Sequence, residues 1–347
     1  MFEKLRWKQL EQQFISNVAV RKSIVLDGTR TKIYYLTNLP DPTGPTGQTG
    51  PNSDTFIGIH GTGGTSLNFL SLIPHFPLGS RFYFIDLPGF GKSYTEYSHL
   101  GFHHYTRWIE QFLTAMRITQ ARFVAHSFGA YLTLEFARTH PERVQTLVLV
   151  SPAGLFPILG YNGMLWAILF KVFRFPYFIM YFRWIWRLLY RLGCFRHSVA
   201  YWLSCYGDRK STMGKLVADS VTLTWNCGFW NRPALGWLLE IPAPITLVFG
   251  ENDTLIPSHH GLVTKGLRPD IRVRIIRNAS HNPIPKNGPS LVRWSLTSTA
   301  DDGTSDRKKT ASEVNLLLST PERYTSSFSF HGTWKMIERL YTDLLTL

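Results

Sequence analysis

The sequence has few cysteines and lacks a long apolar run. Its 347 residues include only 3 cysteines, without paired spacing, so we expect neither disulfides nor a cysteine zinc site, and we predict a reducing compartment. The uncharged run 155–170 is shorter than the roughly 20 residues that span a membrane, and Pro157 and Gly160 interrupt it. No apolar leader with a small-residue cleavage site begins the chain. We therefore predict a cytoplasmic protein, not a secreted one, without metal or other cofactor.

Acidic residues are absent from 154–207, whereas the whole chain carries a net charge of +14. Basic and aromatic residues recur through this stretch, among them Arg183, Arg187, Arg191, Trp184 and Trp186. On a helix, these arginines would form one stripe, with the two tryptophans on adjoining faces. Tryptophan favours the boundary between water and lipid, and arginine attracts anionic head groups. We predict a helical lid over 154–240 that binds peripherally to an anionic membrane or lipid-droplet surface, with the endoplasmic reticulum and mitochondria also open as its location.

The aromatic and basic residues are also compatible with two roles besides lipid binding. Nucleic acid attracts basic residues interleaved with aromatic ones, but no other part of the chain resembles a nucleic-acid module, so no nucleic-acid partner is expected. The simpler alternative is that the aromatic side chains only pack the lid against the rest of the protein. The oligomeric state is left open by the sequence.

Ser127 lies in a turn pattern between an apolar strand-like run and an apolar helix-like run, Val-Ala-His-Ser-Phe-Gly at 124–129. A sharp strand-to-helix turn leaves no space for bulky residues two positions from its serine. Gly129 meets this requirement, and Ala125 adds only one methyl group to the usual glycine. The pattern predicts a nucleophile elbow, with His126 and Gly129 as supporting residues, although a helix-capping serine alone would give a similar match.

Three further segments stand in the order that acyl transfer by such a serine requires. Upstream, an apolar strand at 55–59 runs into His60, Gly61 and a glycine-rich loop. We expect the backbone N–H groups of Thr62, in that loop, and of Phe128 to form an oxyanion hole.

Downstream, the strand 245–250 ends near Asp253, and the strand 273–277 is followed by a loop that holds His281. A serine hydroxyl is a poor nucleophile until a base removes its proton, and a carboxylate must hold that base in the correct tautomer. We therefore predict Ser127 as nucleophile, His281 as base and Asp253 as the orienting acid. The order Ser, Asp, His differs from that of the two protease scaffolds with the same geometry.

The segments 55–155 and 241–282 resemble the α/β-hydrolase family. The resemblance is carried by HGTGGTSLNFL, DLPGFGKS, AHSFGAYLTLEFARTHPERVQTLVLVSPAGLF and FGENDTLIP. It implies an α/β fold, a mostly parallel sheet flanked by helices, with a helical lid inserted after the sixth strand. Within the family, the chain is similar to the lipid-acting branch of N-acyl-phosphatidylethanolamine lipases and the lipid-droplet lipase co-activator linked to lysophosphatidic acid acylation. That branch has an aspartate tied to acyl transfer where this chain has Lys286.

These observations predict a serine hydrolase that cleaves acyl esters of lipids at a membrane or lipid-droplet surface. The alternatives are a non-catalytic lipase co-activator that binds the same surface, a lysophosphatidic acid acyltransferase and an aminopeptidase of the same fold. A complete set of Ser127, Asp253 and His281 argues against the adaptor. An aminopeptidase lid would need acidic groups to bind a free amino terminus, and the first half of this lid has none.

The predicted organisation is a hydrolase core in two parts, 1–153 and 241–347, around the lid at 154–240. Two stretches rich in Pro, Gly, Ser and Thr, 39–54 and about 286–328, lack hydrophobic periodicity, so we expect flexible loops there. The apolar periodicity of 333–341 predicts a closing helix.

Overall fold

The computed structural model describes residues 19–26, 31–39, 54–62, 64–96, 102–155 and 234–296. Within these residues, nine strands form one mixed sheet. The strands are β1 (Val20–Val25), β2 (Thr31–Thr37), β3 (Thr55–Ile59), β4 (Arg81–Ile85), β5 (Tyr94–Thr95), β6 (Ala121–His126), β7 (Val144–Val150), β8 (Ile245–Gly250) and β9 (Arg272–Ile276).

The strand order across the sheet is β1-β2-β4-β3-β6-β7-β8-β9, and β5 pairs with β2. Six neighbouring strands are parallel to one another, namely β4, β3, β6, β7, β8 and β9. Strands β1, β2 and β5 pair in antiparallel fashion. All residues of β6 and β8 are buried, as expected for parallel strands covered on both faces. The carboxyl ends of β3, β6 and β8 therefore lie at the same edge of the sheet.

Five α-helices and three 3₁₀ segments occur in the described residues. They are α1 (Phe102–Ala115), α2 (Phe128–Thr139), α3 (Ala234–Glu240), α4 (His259–Leu267) and α5 (Gly288–Leu296), with the 3₁₀ segments at Ser66–His75, Pro141–Arg143 and Ile284–Lys286. Side chains alternate between two apolar layers along the strands, so that Phe123 packs on one face and Val124 on the other. Helices α1, α2 and α3 cover the first layer, and Ser66–His75 with α5 covers the second.

The mostly parallel sheet flanked by helices is confirmed. The strand before the loop of His281 runs over Arg272–Ile276, one residue earlier than expected. The last described strand before the predicted lid segment is β7 in this numbering. Residues 156–233 lie outside the described part of the chain, so the lid's position after a given strand stays a prediction, as do the closing helix at 333–341 and the loop residues 40–53.

The prediction that a flexible insertion begins at about residue 286 is wrong. The chain continues from the 3₁₀ segment Ile284–Lys286 into α5, where Leu291, Val292 and Trp294 are buried against the second apolar layer. These three apolar residues lie on one face of a single short helix. The apolar face of this helix is too short to stand out from its polar, Pro- and Ser-containing neighbours in the sequence. Its packing against Ser66–His75 becomes apparent only in the folded protein.

A buried arginine on β6 joins distant parts of this body. The Arg122 Nε donates to Asp54 Oδ1 at 2.8 Å, and its Nη1 donates to the carbonyl of Ser295 at 2.9 Å. Thr146 on β7 also donates to that carbonyl, at 2.8 Å. The start of β3 and the end of α5 are thus tied to the centre of the sheet.

Candidate active site

Ser127 occupies a sharp turn between β6 and α2. Its φ of +51° lies in the left-handed region, which a serine adopts only where the surrounding structure holds it. The turn is fixed by the Ser127 N–H, which donates to Val150 O at 2.9 Å. A Cβ on Gly129 would lie only 2.5 Å from the carbonyl oxygen of Ile59, so the end of β3 excludes any larger residue there. The structure thus shows why the sequence pattern requires a glycine at position 129.

The side chains of Ser127, His281 and Asp253 form a hydrogen-bonded row. The Nε2 of His281 lies 3.1 Å from Ser127 Oγ, and its Nδ1 lies 2.9 Å from Asp253 Oδ2. An ionised carboxylate only accepts, so Nδ1 carries the proton and the lone pair of Nε2 faces the serine hydroxyl. The three residues, which come from the turn after β6, the loop after β8 and the loop after β9, have the geometry of a nucleophile, a base and its orienting acid.

Asp253 is kept in its charged form by its contacts. Burial by itself would raise the pKa of this carboxyl, but the hydrogen bond and charge of His281 and the N–H of Ile256 outweigh burial and hold the pKa below its usual 3.8. The N–H groups of Leu255 and Ile256 both donate to Oδ1 at 2.9 Å. The second oxygen of Asp253 is thereby available to His281.

The loop after β3 lies directly against Ser127. A Cβ on Gly61 would come within 2.9 Å of the Ser127 Cβ, and the Gly64 N–H donates to Gly61 O at 3.0 Å, closing a tight turn that contains Thr62. Phe128 is the first residue of α2, where the positive end of the helix dipole lies. Both predicted oxyanion residues are therefore in segments that border the serine.

His60 supports this loop through hydrogen bonds at both of its ring nitrogens. The imidazole is fully buried, with Nδ1–H donating to Gly61 O at 2.7 Å and Nε2 accepting from Leu87 N–H at 2.9 Å. Burial lowers the pKa of His60, and the nearby Asp86 opposes that effect. A neutral imidazole that both donates and accepts thus links the ends of β3 and β4.

Asp86 organises the turn after β4. Its carboxylate accepts the N–H of Ser66 at 2.7 Å and the N–H of Lys92 at 2.9 Å. This turn, which superficially ends like a phosphate-binding loop at Gly-Lys-Ser, is a structural support beside His60.

The loop that carries His281 is held by contacts that sequence reasoning does not find. Glu251 accepts the N–H of Asn278 at 2.8 Å, and the Asn252 N–H donates to Ala279 O at 2.8 Å. On the other side, His126 Nε2 lies 3.0 Å from the carbonyl oxygen of His281. Backbone groups are the partners in all three contacts, and the sequence carries no signal for them.

The residues that we predict to bind lipid fall outside the described part of the chain. They are Arg183, Arg187, Arg191, Trp184 and Trp186. Of the segment 154–240, the structure describes 154–155 and 234–240. Among all described residues, no helix is both long and apolar enough to cross a membrane.

Comparison with known proteins gives matches over most of the described body. A hydrolase from Comamonas testosteroni named for 2-hydroxy-6-oxononadienedioate and 2-hydroxy-6-oxononatrienedioate is 25% identical over 231 residues, which are 64% of this chain and 77% of the relative. The abhydrolase domain-containing protein abhd-5.2 of Caenorhabditis elegans is 32% identical over 100 residues, 28% of this chain and 22% of that protein.

Carboxylesterase CesB of Bacillus subtilis superposes with a TM-score of 0.57 at 17% identity, covering 86% of this chain and 98% of that structure. This structural likeness concerns the fold alone. The profile of the alpha/beta hydrolase fold family matches residues 54–287, which run from the start of β3 past His281. Because this match covers more than half of the sequence, and because the sheet has the corresponding architecture, the chain belongs to the alpha/beta hydrolase fold family.

Proposed function

We propose that the protein is a serine hydrolase that cleaves carboxylic esters, with Ser127 as nucleophile, His281 as general base and acid, and Asp253 as the residue that orients His281. The observation that carries the proposal is the continuous row of hydrogen bonds, 3.1 Å from serine to histidine and 2.9 Å from histidine to aspartate. The same row joins three segments of the chain that meet at one edge of the sheet.

In the proposed reaction, Ser127 Oγ attacks the acyl carbonyl carbon while its proton moves to His281 Nε2. The charge that develops on the carbonyl oxygen is stabilised by the N–H groups of Thr62 and Phe128. Asp253 stabilises the imidazolium, which then protonates the departing alcohol as the C–O bond breaks. A water molecule, deprotonated by His281, attacks the acyl-enzyme and releases the carboxylic acid and free Ser127.

We further propose that the ester is a lipid, and that the segment 154–240 brings the enzyme to an anionic membrane or lipid-droplet surface. This part rests on the absence of acidic residues from 154–207 and on the aromatic and basic residues there. Lys286 stands where the lipid-acting branch that the sequence resembles has an aspartate tied to acyl transfer, so we propose water as the acyl acceptor. A catalytically idle adaptor would bind the same surface without turnover, so turnover is the deciding measurement.

The test compares Ser127→Ala with Ser258→Ala in a p-nitrophenyl butyrate assay and in labelling by a fluorophosphonate. Ser258 precedes α4, and its side chain makes no capping hydrogen bond. Ser258→Ala is therefore a matched control, because it removes a serine hydroxyl outside the proposed site. We expect Ser127→Ala to abolish both signals and Ser258→Ala to retain them. Labelling that survives in Ser127→Ala would contradict the proposed nucleophile, and a parent protein that is neither active nor labelled would favour the adaptor.

The substrate class is tested with the active parent. A panel of phospholipid, lysophospholipid and acylglycerol esters in vesicles is compared with 2-hydroxy-6-oxo acids, the compounds in the name of the Comamonas relative. We expect preference for the lipid esters. Preference for the 2-hydroxy-6-oxo acids would replace the lipid proposal and keep the proposed nucleophile.

A further inference from the structure

His126 is a buried histidine that has no part in the reaction described above. It precedes Ser127 at the end of β6, with only 6% of its surface exposed. Its ring centre lies 4.9 Å from that of His281, and its Nε2 lies 3.0 Å from the carbonyl oxygen of His281. The two histidines are 155 positions apart in the chain, so this contact joins two separate segments of the site.

The partner of His126 settles its tautomer. A carbonyl oxygen only accepts, so Nε2 must carry the proton and Nδ1 must be the bare lone pair. Within the described residues, no hydrogen-bond donor reaches Nδ1, and a Cβ on Gly61 would lie 2.8 Å from that atom. The ring is therefore held by a single hydrogen bond, which it gives to the backbone of His281.

The surroundings of His126 also keep it uncharged. Burial, with a smaller contribution from the neighbouring His281, lowers its pKa to about 3. A charged ring at this position would repel the imidazolium that forms on His281 during turnover. A neutral donor can hold the backbone of the base without opposing its protonation.

From this geometry we propose that His126 is a positioning residue for the proposed hydrolysis, and that it fixes the backbone of His281 through the Nε2–H to carbonyl bond. The inference rests on the proposed function. Asp253 fixes the imidazole at Nδ1, but the ring can still swing about its own side-chain bonds if the backbone moves. His126 supplies the second anchor, so that Nε2 of His281 stays 3.1 Å from the serine hydroxyl.

Two substitutions at the same position separate anchoring from packing. His126→Phe keeps a ring of similar shape, loses the donor and also removes the unpartnered Nδ1. His126→Gln retains an N–H donor at about the reach of Nε2. If His126 positions His281, kcat for p-nitrophenyl butyrate should fall by about 10- to 100-fold in His126→Phe, since a misplacement of ~1 Å brings losses of that order. KM should change little, and His126→Gln should recover most of kcat.

Melting temperatures of both variants report folding separately. Equal kcat in His126→Phe and the parent overturns the inference, and so does a loss in His126→Gln as large as that in His126→Phe. Failure of the proposed function is distinct, because then the parent itself would neither hydrolyse the ester nor react with the fluorophosphonate.

A measurement on the parent tests the hydrogen bond itself where the variants do not fold. In protein labelled with ¹⁵N-histidine, the ring-nitrogen shifts of His126 at pH 7 should be those of a neutral Nε2–H tautomer. Either an Nδ1–H tautomer or a charged ring would overturn the inference.

Discussion

Two acidic residues near the end of β8 differ sharply in their surroundings. Asp253 is buried and faces the imidazole of His281, whereas Glu251 is exposed and accepts the backbone N–H of Asn278. Asn278 has a φ of +54°, so the carboxylate of Glu251 supports a strained position in the histidine loop. The first acid is placed to act on the base, and the second on the loop that carries it.

This difference predicts opposite outcomes for two substitutions of the same kind. Asp253→Asn should lower kcat by about 10⁴-fold, because an amide no longer selects the required tautomer of His281. Glu251→Gln keeps an oxygen acceptor for Asn278 and should retain activity within a few fold. Steady-state kinetics on a soluble ester measures both, and a large loss confined to Glu251→Gln would show that the orienting acid lies two residues earlier.

Much of the candidate site could be predicted from the sequence because its reactive groups are side chains that stand in recognisable sequence patterns. Ser127 stands in a local pattern, and Asp253 and His281 each follow an apolar strand, so the parallel sheet brings them to one edge. The contacts of His126 and Glu251 could not be predicted, because their partners are backbone groups in a loop whose path only the folded sheet determines.

At the scale of elements, the loop after β3 is fitted to the nucleophile turn by close approach. A Cβ on Gly61 would lie 2.8 Å from His126 Nδ1 and 2.9 Å from Ser127 Cβ. His126 is the last residue of β6 and Ser127 follows it directly, so an added Cβ would press on the serine and on the residue before it.

Gly61→Ala should therefore push the predicted oxyanion loop away from Ser127 and lower kcat on the order of 10²-fold, with a loss of about 1–3 kcal/mol in unfolding free energy. Gly236→Ala is the matched control, since a Cβ on this residue of α3 meets no atom within 4 Å. It should preserve activity and raise stability by up to about 1 kcal/mol. Unimpaired hydrolysis by Gly61→Ala would argue against a catalytic role for this loop.

The lid hypothesis gives a second prediction at this scale. Changing Arg183, Arg187 and Arg191 to Gln should weaken binding to phosphatidylserine vesicles by roughly 3 kcal/mol, at about 1 kcal/mol for each basic residue. Vesicle sedimentation at low and high salt measures the loss, which should shrink as salt rises. Hydrolysis of a short soluble ester should hardly change.

A control for net charge changes three exposed arginines outside the predicted lid to Gln. They are Arg107, Arg277 and Arg293. An equal loss of vesicle binding in this control would attribute the effect to overall charge. Equal binding by the lid variant and the parent would contradict docking through the lid.

Elements differ in how well the sequence predicts them. The parallel strands β3, β4, β6, β7, β8 and β9 contain apolar runs that the sequence shows, whereas β1 and β2, at the antiparallel end of the sheet, alternate apolar residues with polar and charged ones. Helix α5 is equally hard to predict, since its short apolar face gains meaning only against Ser66–His75.

Across the whole molecule, several histidines are buried in their neutral form. Burial lowers the pKa of His126 and of His260 to about 3, from 6.5, and it also lowers the pKa of His60. The unfolded chain binds protons near pH 6.5 while the folded protein does not, so acid favours unfolding.

We expect the unfolding free energy to be level above pH 7 and to fall as the pH drops from 6.5 towards 3, with a slope of about 1.4 kcal/mol per pH unit from each of His126 and His260. The lowered pKa of Asp253 adds a further loss, which sets in as the pH falls towards 3.8, where the unfolded carboxyl takes up its proton. Urea unfolding at pH 8, 7, 6, 5 and 4.5 measures this slope. His260→Gln should lower the number of protons taken up on unfolding by one, which lowers the slope by about 1.4 kcal/mol per pH unit. A level curve from pH 7 to pH 4.5 would contradict neutral burial.

The two contacts of Arg122, with Asp54 and with Ser295, have a practical consequence for how far the chain can be truncated. Similarity to the family ends at residue 287, yet Arg122 also binds the carbonyl of Ser295, beyond that limit. A chain that ended at residue 287 would leave the Nη1 of the buried Arg122 without its carbonyl partner and would expose the apolar layer that α5 covers. The end of the family match is thus not the end of the packed body, which continues through α5 to Leu296.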